Sequence, residues 1–294
     1  MDIENSGFQA AAVESYSKMS KPFFLCLGVL RSGSTWSYNV CQTLGRILAA
    51  RRREPFGNAY MTHDELDMCL NTEGPNLRGP TVIKAHTITQ TALDWISSGK
   101  AKAICTYRDP RDCVVSMKTF FGGDIPAVAR QIADSFDYLR FYQKAGNTLF
   151  IRYEQMMADP LGQIEQIASH LNIDVDQATL RQIEYANNIQ SSKKICDDLK
   201  RRPEENVERS GTHRVDPATS LHDNHIFNAK IGRWKEELSD AQGTSLSEFF
   251  HPWLVSLGYE PTAGGTFNKP FDFLPAPDAC AGQPEFHAVR LGQN

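Results

Sequence analysis

No Cys-x-x-Cys pair occurs anywhere in the 294 residues. The seven cysteines are scattered (26, 41, 69, 105, 113, 196 and 280), which argues against a zinc ribbon and a disulfide framework and fits a reducing compartment. No apolar run approaches membrane-spanning length, and the first twenty residues, MDIENSGFQAAAVESYSKMS, lack the basic-then-apolar pattern of an export signal. An excess of positive charge is also missing. The formal net charge is -4, the wrong sign for a non-specific nucleic-acid binder, so any basic residues that matter must be clustered locally. There is no internal repeat. These absences leave a soluble cytoplasmic chain with no nucleic-acid or membrane partner as the expectation.

What is present suits one large α/β domain: 41% hydrophobic and 22% charged residues can bury a core. Four short apolar runs read as buried parallel strands: Pro22–Gly28, Thr81–Lys84, Lys102–Tyr107 and Thr148–Tyr153. Helical spacing covers Ser34–Arg51, Thr87–Ser98, Pro110–Phe120, Pro126–Ala145, Pro160–Leu171, Asp176–Ala186 and Trp234–Phe250. Pro110, Pro126 and Pro160 stand where a first-turn proline belongs. Strand followed by helix, repeated, predicts a single domain with a central parallel sheet flanked by helices. Ligands in such a fold bind at the carboxyl ends of the strands. The expected organisation is a polar segment at 1–20, the domain at 21–259 and a Gly/Pro-rich tail at 260–294. Two stretches, 52–80 and 199–228, break the rhythm and read as functional loops or lids, the first with one short helix at 63–70.

Three motifs carry chemistry. The first strand ends in G-V-L-R-S-G-S-T-W, residues 28–36, with the glycine spacing of a phosphate-binding loop and its final Thr35. The usual Lys is replaced by Ser34, and the cation sits inside the loop as Arg31. A backbone nest at a helix N-terminus still attracts phosphate, but an ordinary nucleoside triphosphatase lacks its lysine here. The third strand ends in R-D-P-R-D, where Arg108 comes first and Ser116 follows eight residues on, a pair suited to a second phosphate. The second strand ends in Lys84-Ala85-His86, which puts a cation and a general-base candidate at the same mouth. His222 and His225 are the nearest thing to a metal ligand pair, and no metal is expected from them.

Together these motifs resemble the soluble sulfotransferases that use 3′-phosphoadenosine-5′-phosphosulfate, a family with the phosphate-loop fold. The resemblance implies that Arg31, Ser32, Gly33, Ser34 and Thr35 grip the donor's 5′-phosphosulfate. It implies that Arg108 and Ser116 grip the 3′-phosphate, and that Trp36 and Tyr153, the latter in IRYEQMMADP, contact adenine. His86 becomes the base, with Arg31, Lys84 and Ser116 assisting. Residues 230–235, KIGRWK, resemble the family's Gly-x-Trp-Lys signature. Two departures stand out. Arg31 replaces the more usual Lys, and the Arg-Lys-Gly run expected before the signature falls on Phe227-Asn228-Ala229. Lys230 or Arg214 is then the substitute for that run's charge. The implied co-substrate is 3′-phosphoadenosine-5′-phosphosulfate, the product adenosine 3′,5′-bisphosphate, and the partner a small acceptor. Acidic residues in 52–80 (Glu54, Asp64, Glu65, Asp67, Glu73) suggest a polar or cationic one. A nucleotide kinase and a non-catalytic adenosine-bisphosphate-binding module remain as alternatives.

Overall fold

A computed structural model describes residues 22–74, 77–226 and 228–260. The N-terminal segment and the tail past Glu260 lie outside them. Strand β1 (Phe23–Gly28) is wholly apolar up to its final glycine, and its side chains alternate between two cores. Phe23, Leu25 and Leu27 face one cluster, and Phe24 and Cys26 face the other. A strand buried on both sides belongs in the middle of a sheet. The order among the described strands is β2-β3-β1-β4-β5, all parallel, with β2 Gly57–Tyr60, β3 Thr81–Lys84, β4 Lys102–Tyr107 and β5 Thr148–Arg152.

Helix α1 (Ser34–Arg52) covers one face of this sheet. Its Tyr38, Val40 and Leu44 meet Ile164 and Ile167, and the last two sit on a helix opened by Pro160. On the other face, Ala92 and Ile96 of α3 (Gln90–Ser97), Val114 and Met117, and Ile132 and Phe136 share one core cluster with Leu25. Each fully buried Phe, Leu or Ile contributes roughly 1.5–3 kcal/mol, so this double-sided burial holds β1 rigidly between its neighbours. The chain leaves β1 for β2 and β3 on one side, then crosses to β4 and β5 on the other. The crevice beyond the carboxyl end of β1 is therefore the switch point where ligands bind in such sheets.

The structure corrects several expectations. Residues 52–80 hold a fifth strand, β2, and a helix, α2 (His63–Met68), that runs on as a π-helical turn at Cys69–Glu73. The sequence G-N-A-Y is an edge strand with alternating burial, so it has no apolar run to betray it. Strand β5 stops at Arg152, and Tyr153 opens a short helix. The long helix expected over Trp234–Phe250 is two pieces, Trp234–Glu237 and Asp240–Phe249. Leu238 is extended, and Ser239 with Gln242 forms a capping box that restarts the helix. An unexpected helix fills Ile189–Leu199, and another fills His251–Ser256. The charged stretch 199–228 contains a small hairpin, Glu208–Ser210 with His213–Val215. The six described cysteines are buried free thiols, and no described helix is long and apolar enough to cross a membrane.

Candidate nucleotide and acceptor site

The phosphate loop owes its shape to close packing between β1 and β4. Gly28 has φ 147°, and a Cβ there would lie 2.4 Å from Thr106 Oγ1, so no other residue fits without parting the strands. Ser32 is fully buried, and its hydroxyl contacts the Val29 carbonyl (2.6 Å), the Thr106 carbonyl (2.9 Å) and Thr106 Oγ1 (2.7 Å). The Ser32 side chain thus fastens the loop to β4 and does not line the cavity. Arg31 (φ 65°) and Gly33 (φ 93°) are both left-handed, which turns successive N–H groups inward ahead of α1. In the first turn of that helix Trp36 and Ser37 both donate to the Gly33 carbonyl (2.9 and 3.2 Å), the N–H groups ahead of them precede any helical acceptor, and the positive end of the dipole faces the same way.

Around this loop a cavity of about 1380 Å³ gathers the predicted side chains. Arg31, Gly33, Ser34, Thr35 and Trp36 line it from the loop. Lys84 and His86 line it from the end of β3, and Arg108, Ser116 and Tyr153 from the β4 side. Lys84 Nζ donates to Thr35 Oγ1 at 2.6 Å. Arg31 Nε donates to Ser116 Oγ (3.1 Å), its Nη2 donates to the His225 carbonyl (3.2 Å), and its guanidinium lies 4.2 Å over the Phe120 ring. The residue thus ties the loop to α4 (Pro110–Phe121) and to the segment at 199–228.

Arg108 is buried. Its Nη2 donates to Asp112 (3.0 Å) and to the Lys230 carbonyl (2.7 Å), its guanidinium stacks 4.2 Å from Tyr153, and its Nε has no partner among the described residues. Asp112 is fully buried and also accepts from the N–H groups of Gly232 (2.7 Å) and Trp234 (3.1 Å). One carboxylate therefore clamps the Gly-x-Trp-Lys segment onto the strand end. The expected substitutes for the missing basic run behave differently. Lys230 lines the cavity but is exposed, and its ammonium pairs with Glu236. Arg214 pairs with Glu204 and the Arg202 carbonyl and does not line the cavity. A buried arginine that the motif reading quoted but did not single out, Arg233, does line it. Its place in the signature was visible; its burial was not.

The crowding of cations without matching anions depresses their pKa values. Burial first, then the charge of Arg108, brings Arg31 down to about 10. Burial and Arg31 bring Lys84 to about 7, and burial and Lys84 bring His86 to about 3. His86 Nδ1 lies 3.2 Å from the Gly28 carbonyl, so in the neutral ring that nitrogen carries the proton and donates it. Nε2, which faces Ser34 Oγ at 3.4 Å, keeps its lone pair for the cavity. His222 and His225 also line the cavity, and with His213 behind them they surround Phe120, at ring-centroid separations of 5.2, 6.0 and 5.0 Å respectively. Among the described residues no three His, Cys, Asp or Glu side chains come together to hold a metal ion.

Of the acidic residues at 52–80, Asp64 lines the cavity; Glu65 instead caps α2 through Thr62 (2.8 Å), and Glu54 and Asp67 do not reach it. Tyr60 and Met61, from the edge strand that the sequence reading missed, join Asp64 on this wall.

A family model described as a sulfotransferase domain matches residues 21–258. Sulfotransferase 4A1 of Mus musculus is 26% identical over 125 residues, which are 36% of this chain and 44% of that protein. The Homo sapiens protein of the same name is 27% identical over 122 residues, 35% of this chain and 43% of that one. The chain spans less than half the length of these curated relatives. Among solved structures, mouse sulfotransferase SULT7A1 complexed with PAP superposes with a TM-score of 0.58 at 19% identity, covering 83% of this chain and 88% of that one. Retinol dehydratase in complex with retinol and PAP gives 0.57 at 15% identity, covering 85% and 86%. At these identities the structural likeness establishes the fold.

Proposed function

The chain belongs to the sulfotransferase family, and from that membership we propose that it transfers a sulfuryl group from 3′-phosphoadenosine-5′-phosphosulfate to a hydroxyl or amino group of a small acceptor. One observation carries the reading. Arg31, Lys84 and Arg108 converge, largely buried, on a phosphate loop whose neighbour His86 is held neutral with Nε2 facing the cavity. Isolated buried cations are costly, and a polyanion bound among them offsets that cost. The orphaned Nε of Arg108 fits the same ligand.

In this reading the loop N–H groups, Arg31 and Lys84 hold the 5′-phosphosulfate. Arg108 and Ser116 hold the 3′-phosphate, while Trp36 and Tyr153 flank the adenine. The donor supplies an activated sulfuryl group whose S–O bond to phosphate breaks as the acceptor's new bond to sulfur forms. His86 Nε2 removes the acceptor proton, and the Gly28 carbonyl keeps the ring oriented through Nδ1. Burial and then the charge of Lys84 keep His86 a weak base, and anionic charge beside Lys84 and Arg31 relieves the second of these. Arg31 and the loop amides meet the charge that develops on the leaving phosphate, where one such donor is worth about 10²–10³-fold. The acceptor approaches His86 between Tyr60 and the His222–His225 wall. Asp64 beside that approach favours a polar or cationic molecule.

An acceptor screen with labelled donor, running from alcohols and phenols to amines and guanidines, tests this function. The expected result is a labelled product formed in step with adenosine 3′,5′-bisphosphate, without added magnesium. Failure to transfer to any class, or phosphate transfer from ATP with magnesium, would overturn it.

A further inference from the structure

Four buried or nearly buried cations surround one end of the cavity: Arg31, Lys84, Arg108 and Arg233. Among the described residues, Asp112 and Glu237 are carboxylates that answer them. Asp112 bonds Arg108, and Glu237 takes Arg233 through Nε (2.6 Å) and Nη2 (2.9 Å). Arg31 and Lys84 are held by hydroxyls and a carbonyl. The excess is the complement of a ligand with more than one negative charge, but the cations are not equally placed to share it.

Arg233 is 4% exposed and lines the cavity, and its Nη2 also donates to Thr119 Oγ1 at 3.0 Å. Thr119 lies three residues after Ser116 on α4, so both hydroxyls share one helix face. Ser116 holds Arg31 on that face, and Arg108 stands at the strand end from which the helix starts. The charge of Arg233 contributes to lowering the pKa of Arg31, after burial and Arg108, so the two guanidiniums feel one another across the cavity. Asp112 fixes the geometry by gripping the N–H groups on either side of Arg233, those of Gly232 and Trp234. A residue serving only to staple its short helix to α4 would need none of this convergence.

We infer that Arg233 is a nucleotide-binding residue, bearing with Arg108 and Ser116 on the donor's second phosphate, the one remote from the phosphate loop. The inference rests on the donor reading above. The residues at 227–229, Phe-Asn-Ala, carry no charge, and Lys230 is exposed, so Arg233 is the cation that the 230–235 segment buries against the cavity.

Calorimetric titration of adenosine 3′,5′-bisphosphate and of adenosine 5′-monophosphate into the full chain decides the matter. In Arg233→Gln the bisphosphate should bind about ten- to a hundredfold more weakly, while the monophosphate changes less than threefold. Arg233→Lys should recover part of the loss. Because Arg233→Gln removes a buried ion pair, its thermal unfolding is followed as well, and Glu237→Gln supplies an independent arm. Releasing Arg233 from its carboxylate should hold or strengthen bisphosphate binding, whereas a purely structural ion pair predicts weakening of both ligands. Equal losses for both nucleotides in Arg233→Gln, or a Glu237→Gln variant weakened toward both, would overturn the assignment and leave the donor reading intact. A wild-type protein that bound neither nucleotide would overturn both.

Discussion

At the donor end of the cavity, Gly28, Arg31, Gly33 and Arg108 sit on turns that leave two adjacent parallel strands, each buried on both faces. At the acceptor end, Tyr60 comes from an edge strand, Asp64 from a short helix, and His222 and His225 from a segment without periodicity. The first end is specified by backbone geometry and close approach; the second is assembled from side chains on elements that bury little. Changes at the donor end should therefore act on nucleotide affinity in nearly all-or-none fashion. The acceptor wall can be rewritten with small effects on binding of the donor. Mutations and pH can break or sharpen that contrast.

The largest effect belongs where the ends meet. His86→Ala should lower turnover by about 10²–10⁴-fold while nucleotide affinity changes less than threefold, since a base acts on the acceptor proton. Single-turnover rates and calorimetry measure the two quantities, and a mutant with near-normal turnover removes His86 from the chemistry. Next, Arg108→Ala at the donor end should cost about 1.5–3 kcal/mol of adenosine 3′,5′-bisphosphate affinity. It should spare adenosine 5′-monophosphate, and acceptor preference should stay as in the wild type. Equal loss for both nucleotides would make Arg108 a framework residue.

A pH series gives a smaller, graded effect. Lys84, depressed to about 7 by burial and Arg31, is charged below that value and loses its proton above it. Bound nucleotide favours the charged form and raises the pKa, so binding takes up a proton. Bisphosphate affinity should fall by up to ~10-fold per pH unit from 7 to 9. Lys84→Arg, charged throughout, should flatten that slope, and an unchanged slope would place the titration elsewhere. The smallest change is expected at the acceptor end. Asp64→Asn should lower kcat/KM for an amine or guanidine acceptor about two- to fivefold, less at high salt, with nucleotide affinity unaltered. Neutral phenols as the best acceptors, indifferent to both changes, would remove Asp64 from acceptor selection.

The same contrast explains what could be read in advance. The three interior strands and β5, the loop at 28–36 and the pairing of Lys84 with His86 declare themselves because continuous apolar runs and glycine spacing are local signals. The edge strand β2 stayed hidden because G-N-A-Y has one aromatic and no run. The break at Leu238 was missed although Ser239 and Gln242 spell a capping box. The role of the Ser32 hydroxyl is equally hidden: it serves Thr106, seventy-four positions away, a pairing that only the register of β1 on β4 creates. Arg233 and Asp112 were legible as letters of a motif. Their meeting across the cavity depends on burial that no spacing reveals.

The position of β1 between β3 and β4 also works as a ruler. Parallel strands lie about 4.8 Å apart, and Cys26 is in register with Lys84 while Gly28 pairs with Thr106. The phosphate loop and the His86 ring, to which the proposed reaction assigns the broken bond and the proton, thus leave adjacent strands, and His86 is clipped to the last carbonyl of β1. That separation is a property of peptide hydrogen bonding, so thermal motion of side chains or redesign of the cavity walls leaves it unchanged. On the proposed function, acceptors of different size are accommodated by moving the outer walls, while the spacing between loop and ring stays constant.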